Sequence, residues 1–441
     1  MNKQGVAIDW VRGDATGLDI PAHTAALTTG GVGFLTHAFH AAGTLAAHNR
    51  VTDITRFEEL AVGGTGRKLL LSVAYETPQR GLPGDLFVKF SRDFDDEIRD
   101  RARHMMETEI RLANLSRAPE FPIAVPRCLF ADFHARSGTG ILITERIAFG
   151  KGAIEPHYPK CLDYELSQPL EHYGAILKAL ARLAGAQKSG KLGQEANKLF
   201  PFDRSQLIEL DRIAYSAPRL RNRVSRYNEF AATFPQLLPE NIRSEAFIAK
   251  LMGEVSRFSE HEHAIRTHLY DQPDFVALCH WNANIDNAWF WRNARGELEC
   301  GLLDWARAGQ MNVGLAIYGA MSGAEVELWS EHLDDLLSLF VAEYRDSGGP
   351  RLDVRELKRH VRLFTALMGL AYIMDAPPII RMQLPDLAQT KSRFDPQIRA
   401  DETARTQLHM LTMFLDQWQT QDFGAALDHV LEHSDKRHET L

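Results

Sequence analysis

Apolar residues recur at two different spacings along the chain, and the spacing changes near residue 150. Before that point, short runs of bulky apolar residues bounded by glycine and proline predict strands over Leu69–Glu76, Leu86–Phe90, Arg127–Ala131 and Ile141–Ile147. Beyond it, apolar residues three and four positions apart predict helices, most clearly over Leu170–Gln187, Leu357–Ala376 and Glu402–Trp418. We therefore expect a β-rich N-terminal region followed by a helical C-terminal region.

Three segments depart from this simple division. In the N-terminal region, helical patterns occur near Val32 to Ala46 and in a charged stretch from about Asp95 to Arg117. In the C-terminal region, a short β island lies between Phe275 and Leu303, and Pro377–Pro378 is expected to end the preceding helix. The island interrupts the helical part and carries the most distinctive polar residues of the chain.

Composition excludes several classes of protein. The chain has 441 residues, too many for one ordinary core, and a net charge of −8 without a basic cluster or tail, so we expect no nucleic-acid partner. No apolar run approaches the length of a membrane span, and Met1 to Ala15 lacks an apolar signal region, so neither a membrane partner nor secretion is expected. The four cysteines are scattered, which is typical of reduced thiols in a cytoplasmic protein. The oligomeric state does not follow from the sequence.

The β island combines an apolar strand, a polar loop and a hairpin that ends at an acid. The loop from His280 to Asn287 follows the strand, and Asp304 leaves the far end of the hairpin. Carboxylate and amide oxygens at one edge of a hairpin suit Mg²⁺, a hard cation that takes a few protein oxygens together with phosphate oxygens. An ordinary polar connection, with Asp304 capping the element that follows, is the alternative interpretation.

This island resembles the catalytic segment of the kinase-like small-molecule phosphotransferase superfamily, which includes aminoglycoside and macrolide phosphotransferases and choline kinases. His280 matches the histidine of the family's catalytic loop, Asn287 its metal-binding asparagine, and Asp304-Trp305 its metal-binding aspartate and aromatic neighbour. The resemblance implies an α+β, bilobal protein-kinase-like fold with a small β-rich N-terminal lobe and a large, mainly helical C-terminal lobe. We place the N-lobe at residues 1–147 and the C-lobe at 148–441, with the catalytic loop and metal-binding hairpin at 275–305.

Asn282 occupies the position where this family has its catalytic aspartate. An amide accepts no proton near neutral pH, so Asn282 cannot be a general base, which is typically worth roughly 10²–10⁴ in rate. Asp286, four residues on, is an alternative acid. Because phosphoryl transfer depends mostly on positioning and charge neutralisation, loss of the base need not abolish the reaction. Two further departures are Ala306 in place of glycine and the absence of a second acid between Gln310 and Ala316.

Lys89 lies inside an apolar strand and needs a partner, because a buried ammonium group is costly to leave unpaired. On the following helix, Glu109 falls on the apolar stripe with Met105 and Leu112, whereas Glu107 falls on the polar face. We therefore predict that Lys89 pairs with Glu109. The resemblance implies that Lys89 contacts the nucleotide's phosphates and that Glu109 orients it; a purely structural ion pair is the alternative.

Two weaker features complete the predicted nucleotide site. Gly63, Gly64 and Gly66 precede the first strand of the Lys89 pair, where kinase-like folds place a loop that covers the nucleotide. The segment that contains Glu145 and Ile147 ends the small lobe and corresponds to the family's hinge, whose backbone binds adenine. A simple turn and an ordinary core strand are the alternatives for these two segments.

The resemblance implies an ATP- and Mg²⁺-dependent phosphotransferase that acts on a hydroxyl group of a small molecule, which would bind beside Asn282 and Trp281. No acidic cluster is evident beside the loop in the sequence, so we expect a neutral or hydroxylated acceptor. A catalytically impaired pseudokinase that binds nucleotide for regulation is the alternative, and nucleotidyl transfer is a third interpretation. Separately, His261, His263 and His268 form a short cluster that we interpret as a solvated helix face rather than a metal site.

Overall fold

The computed structural model describes residues 8–60 and 66–438, with side chains up to residue 433. Its strands are β1 Trp10–Arg12, β2 Asp19–Pro21, β3 Val51–Leu60, β4 Lys68–Tyr75, β5 Asp85–Phe90, β6 Cys128–His134, β7 Thr139–Glu145, β8 Val276–Cys279, β9 Ala288–Arg292, β10 Leu298–Leu302 and β11 Gly309–Asn312. The first seven strands precede residue 150, and the last four form the β island and its continuation.

Most helices follow residue 150. The helices before the β island are α1 Thr24–Ala41, α2 Arg99–Leu115, α3 Pro169–Lys188, α4 Gly193–Leu199, α5 Arg204–Glu209, α6 Ala217–Thr233, α7 Glu240–Arg243, α8 Glu245–Glu260 and α9 Glu262–Tyr270. After the island follow α10 Val313–Met321, α11 Val326–Glu331, α12 Leu333–Asp346, α13 Val354–Met368, α14 Ala376–Gln383, α15 Pro396–Ala400, α16 Glu402–Thr420 and α17 Phe423–His438. The predicted α+β class, β-rich first and mainly helical afterwards, is confirmed.

The chain divides into two compact units that do not follow a single cut. The first unit comprises Met1–Ile154, Leu192–Phe200 and Gly301–Gly309, and the second comprises Glu155–Lys191, Pro201–Cys300 and Gln310–Leu441. The predicted lobe boundary at residues 147 and 148 lies shortly before the end of the first stretch. No sequence pattern predicted the two short later stretches, one of which brings Asp304 into the first unit.

A five-stranded antiparallel sheet with the order β3-β4-β5-β7-β6 forms the centre of the first unit. Side chains alternate between its two faces, so β5 presents Leu86, Val88 and Phe90 to one face and Lys89 to the other. The first face packs against α1 in a core that includes Leu35 and other helix residues. The opposite face packs against α2 through Met106, Ile110 and Leu142. Lys89 therefore points to the side of the sheet that carries α2.

The sequence patterns located most of these elements but missed β3. This strand spans Val51–Leu60, and only its first residue is buried, so it lacks the alternation of apolar and polar positions that identifies a half-buried strand. It lies at the edge of the sheet and pairs only with β4 among the strands of that sheet. Helix α1 begins at Thr24, eight residues before the predicted start, and bends at Gly31, where φ is +49°.

The second unit is mainly helical, and its prolines mark helix starts rather than ends. The predicted helix from Leu357 to Ala376 corresponds to α13 and a π-helical turn over Gly369–Ile373, and the chain turns before α14. Pro377 and Pro378 lie in the first turn of α14, where a missing backbone N–H costs little. Within the described residues no single helix has the length and apolar composition of a membrane span, although Val354–Ile373 and Ala376–Gln383 meet that test as a bent pair.

Candidate active site

The predicted pairing of Lys89 with Glu109 is confirmed. Lys89 Nζ donates to Glu109 Oε2 at 2.5 Å, and both side chains are almost completely buried. The helix faces the sheet through Met106, Glu109, Ile110 and Leu112, so the inward stripe includes Met106 rather than the predicted Met105. Glu107 lies on the outer face and pairs with Arg111, as its position in the pattern indicates.

Asp304 is the second partner of Lys89. Its Oδ1 accepts a hydrogen bond from Lys89 Nζ at 2.8 Å, and the carboxylate is 29% exposed, in contrast to Glu109. This carboxylate therefore has a partner in the first unit, and the element that follows it is the strand β11. Lys89 thus joins a buried acid on α2 to a partly exposed acid after β10.

The backbone at Asp304 adopts an uncommon conformation. Its φ is +59°, and that of Arg307 is +63°, in the left-handed region that non-glycine residues adopt rarely. Two contacts fix this segment: Trp305 Nε1 donates to the carbonyl of Leu302 at 3.0 Å, and the Arg307 amide donates to Thr108 Oγ1 on α2 at 3.0 Å. Residues held in sparsely populated backbone conformations cluster at active sites and ligand-binding sites.

Burial and charge act in opposite directions on this group. Burial disfavours the ammonium form of Lys89, but the carboxylates of Glu109 and Asp304 outweigh it and raise the pKa of Lys89 above its ordinary value. Burial raises the pKa of Glu109, and the charge of Lys89 opposes that rise. Lys89 is therefore a cation at neutral pH, held in a site from which water is largely excluded.

The glycine segment and the hinge are described only in part. Gly63 and Gly64 lie outside the described residues. At Gly66, φ is +141° and a Cβ atom would fall 2.0 Å from the carbonyl oxygen of Phe90, so the chain requires glycine there to approach β5. At the hinge, the amides of Glu145 and Arg146 donate to the carbonyls of Arg127 and Asp85, both at a distance of about 3 Å, which makes Ile147 the first residue beyond the sheet's pairing.

The loop from His280 to Asn287 is the predicted catalytic loop, and it lies in the second unit. His280 is completely buried, and its Nδ1 accepts a hydrogen bond from the backbone amide of Asn282 at 3.0 Å. Asn287 Nδ2 donates to the carbonyl of Asn282 at 2.9 Å. This bond uses the amide nitrogen of Asn287, so its oxygen is the atom that a metal ion would take.

Asn284 and Gly319 hold this loop against α10. Asn284 is buried, and its Nδ2 donates to the carbonyl of Gly319. A Cβ atom at Gly319 would fall 1.8 Å from the carbonyl oxygen of Trp281, so only glycine permits this close approach of the helix to the loop. Neither residue was predicted to matter, because their roles depend on a helix more than 30 positions away in the sequence.

Asp286 is a partly buried acid. Its Oδ1 is buried and has no hydrogen-bond partner, and burial raises its pKa against the opposing charge of Lys160. Its backbone carbonyl faces His157 Nε2 at 3.0 Å. A general base needs a pKa above the ordinary value of a carboxylate, and burial shifts the pKa of Asp286 in that direction. Lys160, whose charge opposes this shift, lies outside the loop.

Two further buried acids act on the same region of the second unit. Asp163 accepts a hydrogen bond from the hydroxyl of Tyr173, while its Oδ1 is buried without a partner. Burial, aided by the charges of Glu325 and Asp286, raises the pKa of Asp163 to about 7. The expectation that no acids gather beside the loop is therefore wrong: Asp163 and Glu325 come from segments distant in sequence, and no local pattern reveals them.

Comparisons with known proteins give matches among solved structures only. No protein-family model matches the sequence, and no curated protein matches it significantly. A choline/ethanolamine kinase family protein from Mesorhizobium loti is 14% identical with a TM-score of 0.42, over 85% of this chain and 92% of that one. A microcompartment-associated aminopropanol kinase is 13% identical with a TM-score of 0.42, over 83% and 93%. A Plasmodium vivax ethanolamine kinase is 15% identical with a TM-score of 0.40, over 81% of each chain.

These proteins are small-molecule kinases, the group whose catalytic segment the β island resembles. At these identities and TM-scores the matches carry no argument about activity, acceptor or cofactor. Any statement about what this chain does therefore depends on its own residues, above all on Lys89, Asp304 and the loop that contains Asn282.

Proposed function

We propose that this chain is an ATP- and Mg²⁺-dependent phosphotransferase that acts on a hydroxyl group of a small molecule. The observation that carries the proposal is the buried Lys89, which lies between Glu109 at 2.5 Å and Asp304 at 2.8 Å. A buried lysine that needs only charge compensation requires one carboxylate. The second carboxylate, partly exposed and on a constrained backbone, supports a role toward a ligand.

The residues present fit a nucleotide with magnesium. Lys89 would bind the α- and β-phosphates, and Glu109 would hold its ammonium group in place. Asp304 would supply a hard oxygen ligand of the kind that Mg²⁺ takes, and Asn287 is the other metal ligand that the resemblance implies. Ile147, with Glu145 in the strand before it, would contribute the hinge backbone, and Gly66 lies in the loop proposed to cover the nucleotide. When bound, ATP with Mg²⁺ supplies the phosphoryl group and neutralises its charge.

The acceptor would bind at the catalytic loop. Asn282 cannot take the hydroxyl proton, so its side chain can only position the acceptor, and His280 fixes the loop backbone through Asn282. Asp286 would be the acid nearest in sequence. Asp163 and Asp286 favour an acceptor that carries a positive charge over the neutral acceptor expected from the sequence, because a cation would compensate their charge, whereas Glu325 already pairs with Arg393.

A nucleotide-binding pseudokinase is the second candidate, and Asn282 is the observation that favours it. Both candidates use Lys89 and Asp304 to bind nucleotide, and they differ only in whether a phosphoryl group is transferred. The distinction therefore depends on detecting a product.

The test is incubation of the purified protein with ATP, Mg²⁺ and a panel of hydroxylated metabolites, half of them amines, with phosphorylated products detected by mass spectrometry. We expect a product from at least one acceptor, lost in Asp304→Ala. Phosphorylation of neutral alcohols alone would contradict the cationic acceptor while leaving the phosphotransferase intact. Absence of product from the wild type, with activity gained in Asn282→Asp, would establish the pseudokinase instead.

A further inference from the structure

A second cluster of ligand-type side chains lies in the second unit, outside the catalytic loop. His268 on α9 and Glu356 and His360 on α13 bring two imidazoles and a carboxylate together, with ligand atoms all within 4.8 Å of one another. His268 Nε2 lies 3.2 Å and His360 Nε2 lies 3.4 Å from the same atom, Glu356 Oε1. The interpretation of His268 as part of a solvated helix face is wrong, because this side chain is buried.

The environment of one atom in the cluster indicates that a ligand binds there. His360 is completely buried, and its Nε2 has no well-formed hydrogen bond, although it faces Glu356 Oε1. A buried polar atom without a partner is uncommon, because it loses its hydration without compensation. Nearby carboxylate oxygens are occupied otherwise, since Glu356 also accepts from Gln272 and pairs with Arg359.

The spacing of these atoms suits a tetrahedral metal ion. Zinc binds histidine nitrogen and carboxylate oxygen at roughly 2.0–2.1 Å, which places adjacent ligands roughly 3.3 Å apart on the edges of a tetrahedron. The two nitrogen-to-oxygen separations, 3.2 Å and 3.4 Å, match this edge. Two histidines and one glutamate are a ligand set that zinc sites with an open fourth position use.

Glu356 also lines the surface of the second unit beside the cluster. A pocket of about 430 Å³ is bounded by Glu356 together with Gln272, Asp271, Asp353 and neighbouring residues. Glu356 is the residue that the pocket and the cluster share. A metal ion could therefore enter from the pocket, and a water molecule could complete its coordination.

Asn312 sets the condition under which His360 can bind a metal. Its Nδ2 lies 3.0 Å from His360 Nδ1 and 2.6 Å from the carbonyl of Leu269, while its Oδ1 accepts from the amide of Gly314 at 2.8 Å. These contacts fix the amide orientation, so in this structure Nδ1 accepts and Nε2 carries the ring proton. Metal binding at Nε2 would move that proton to Nδ1, where it needs an acceptor that Asn312 Nδ2 is not.

We propose that His268, Glu356 and His360 form a binding site for one Zn²⁺-class transition-metal ion that ties α9 to α13, and that Asn312 weakens its affinity. The site is independent of the proposed phosphotransferase activity, since none of its residues belongs to the catalytic loop. Its expected effect is on the stability of the second unit.

The test uses the full-length protein without a histidine tag, stripped with a chelator. Zn²⁺ binding is measured by titration calorimetry, and Co²⁺ is used as a spectroscopic probe because tetrahedral Co²⁺ absorbs strongly in the visible range. We expect one ion per chain, tetrahedral Co²⁺ absorption and a rise in melting temperature on Zn²⁺ addition. Absence of stoichiometric binding would overturn the proposal, whatever the outcome of phosphotransferase assays.

Three variants locate the ion. Glu356→Gln keeps the side-chain size and should weaken binding by at least roughly 100-fold, whereas His263→Ala, which removes an exposed histidine on α9, the helix of His268, should change nothing. Asn312→Asp offers an acceptor to Nδ1 and should strengthen binding by roughly 10–100-fold. Equal affinity of Glu356→Gln and His263→Ala, or weaker binding in an Asn312→Asp variant that melts like the wild type in chelator, would overturn the assignment.

Discussion

Two regions of this molecule differ in the charged groups that they bring together. In the first unit, Lys89 contacts the carboxylates of both Glu109 and Asp304. In the second unit, hydrogen bonds to His280 and Asn287 hold the backbone of Asn282, whose amide occupies the position that the resemblance assigns to a base. Under the proposed function, phosphate binding and acceptor activation are separable, because a loose transition state demands positioned charge more than proton removal.

Removing the charge from the first region should give the largest effect. We expect Lys89→Met to reduce phosphoryl transfer by roughly 10³-fold or more, because the phosphates lose a positioned cation. It also leaves Glu109 buried without its partner, which should lower the free energy of unfolding by about 3–5 kcal/mol. Activity is measured by product formation and stability by urea denaturation. Lys151→Met, an exposed lysine of the same unit, should change neither quantity.

Restoring the acid in the second region should sharpen the comparison. We expect Asn282→Asp to raise kcat by at least about 10²-fold, because a positioned carboxylate can take the proton of the acceptor hydroxyl. Nucleotide affinity should stay the same, since Lys89 and Asp304 are unchanged. Steady-state kinetics on the best acceptor measure the first quantity and calorimetry the second. An unchanged or lower kcat would show that another group, such as Asp286, already serves this role.

The buried acids predict a pH dependence of stability. The folded-state pKa of Asp163 is about 7, above the ordinary value of 3.8, so the folded protein binds the extra proton and loses stability as pH rises from about 4 to 7. Asp163→Asn mimics the protonated acid. It should therefore raise the free energy of unfolding by roughly 2–4 kcal/mol at pH 8 and change it little near pH 4.

Urea denaturation at both pH values measures this difference. Asp346→Asn, on the outer surface of α12, serves as a control and should give no difference between the two pH values. A stability gain of Asp163→Asn that is equal at pH 4 and pH 8 would mean that Asp163 does not titrate in this range.

The smallest expected effect concerns the support of the catalytic loop. We expect Gly319→Ala to lower the free energy of unfolding by roughly 1–3 kcal/mol, since its Cβ would fall 1.8 Å from the Trp281 carbonyl oxygen and force the helix away. Gly323→Ala is a matched control, because its Cβ would have contacts no closer than 3.8 Å. Thermal denaturation compares the two, and equal melting temperatures would contradict the close approach of α10 to the loop.

Features could be predicted from the sequence where the residues that form them lie close together in the chain. The pairing of Lys89 with Glu109 follows from strand alternation and helix periodicity over about twenty residues, and the structure confirms this pairing. The edge strand β3 escaped because its exposed residues carry no apolar alternation. The acids Asp163 and Glu325, and the His268–Glu356–His360 cluster, escaped because each joins segments that are far apart in the chain.

The same reason explains why only part of the candidate site could be predicted from the sequence. His280, Asn282 and Asn287 lie within one short motif, so the resemblance to kinase-like enzymes could group them. The contact of Asp304 with Lys89 spans 215 positions and was not predicted, because the resemblance implied only separate roles for the two residues in one nucleotide site. The roles of all these residues toward nucleotide, metal and acceptor stay predictions.

The most direct test of the central claim is the thermal stabilisation of the protein by ATP, with and without Mg²⁺, in the wild type and in Asp304→Ala. A ligand present at 100 times its Kd adds about 2.7 kcal/mol to the free energy of unfolding, which is readily measured as a shift in Tm. We predict that Mg²⁺ enlarges the shift given by ATP in the wild type and has no such effect in Asp304→Ala. A wild type that ATP stabilises equally with and without Mg²⁺, or does not stabilise at all, would contradict the account.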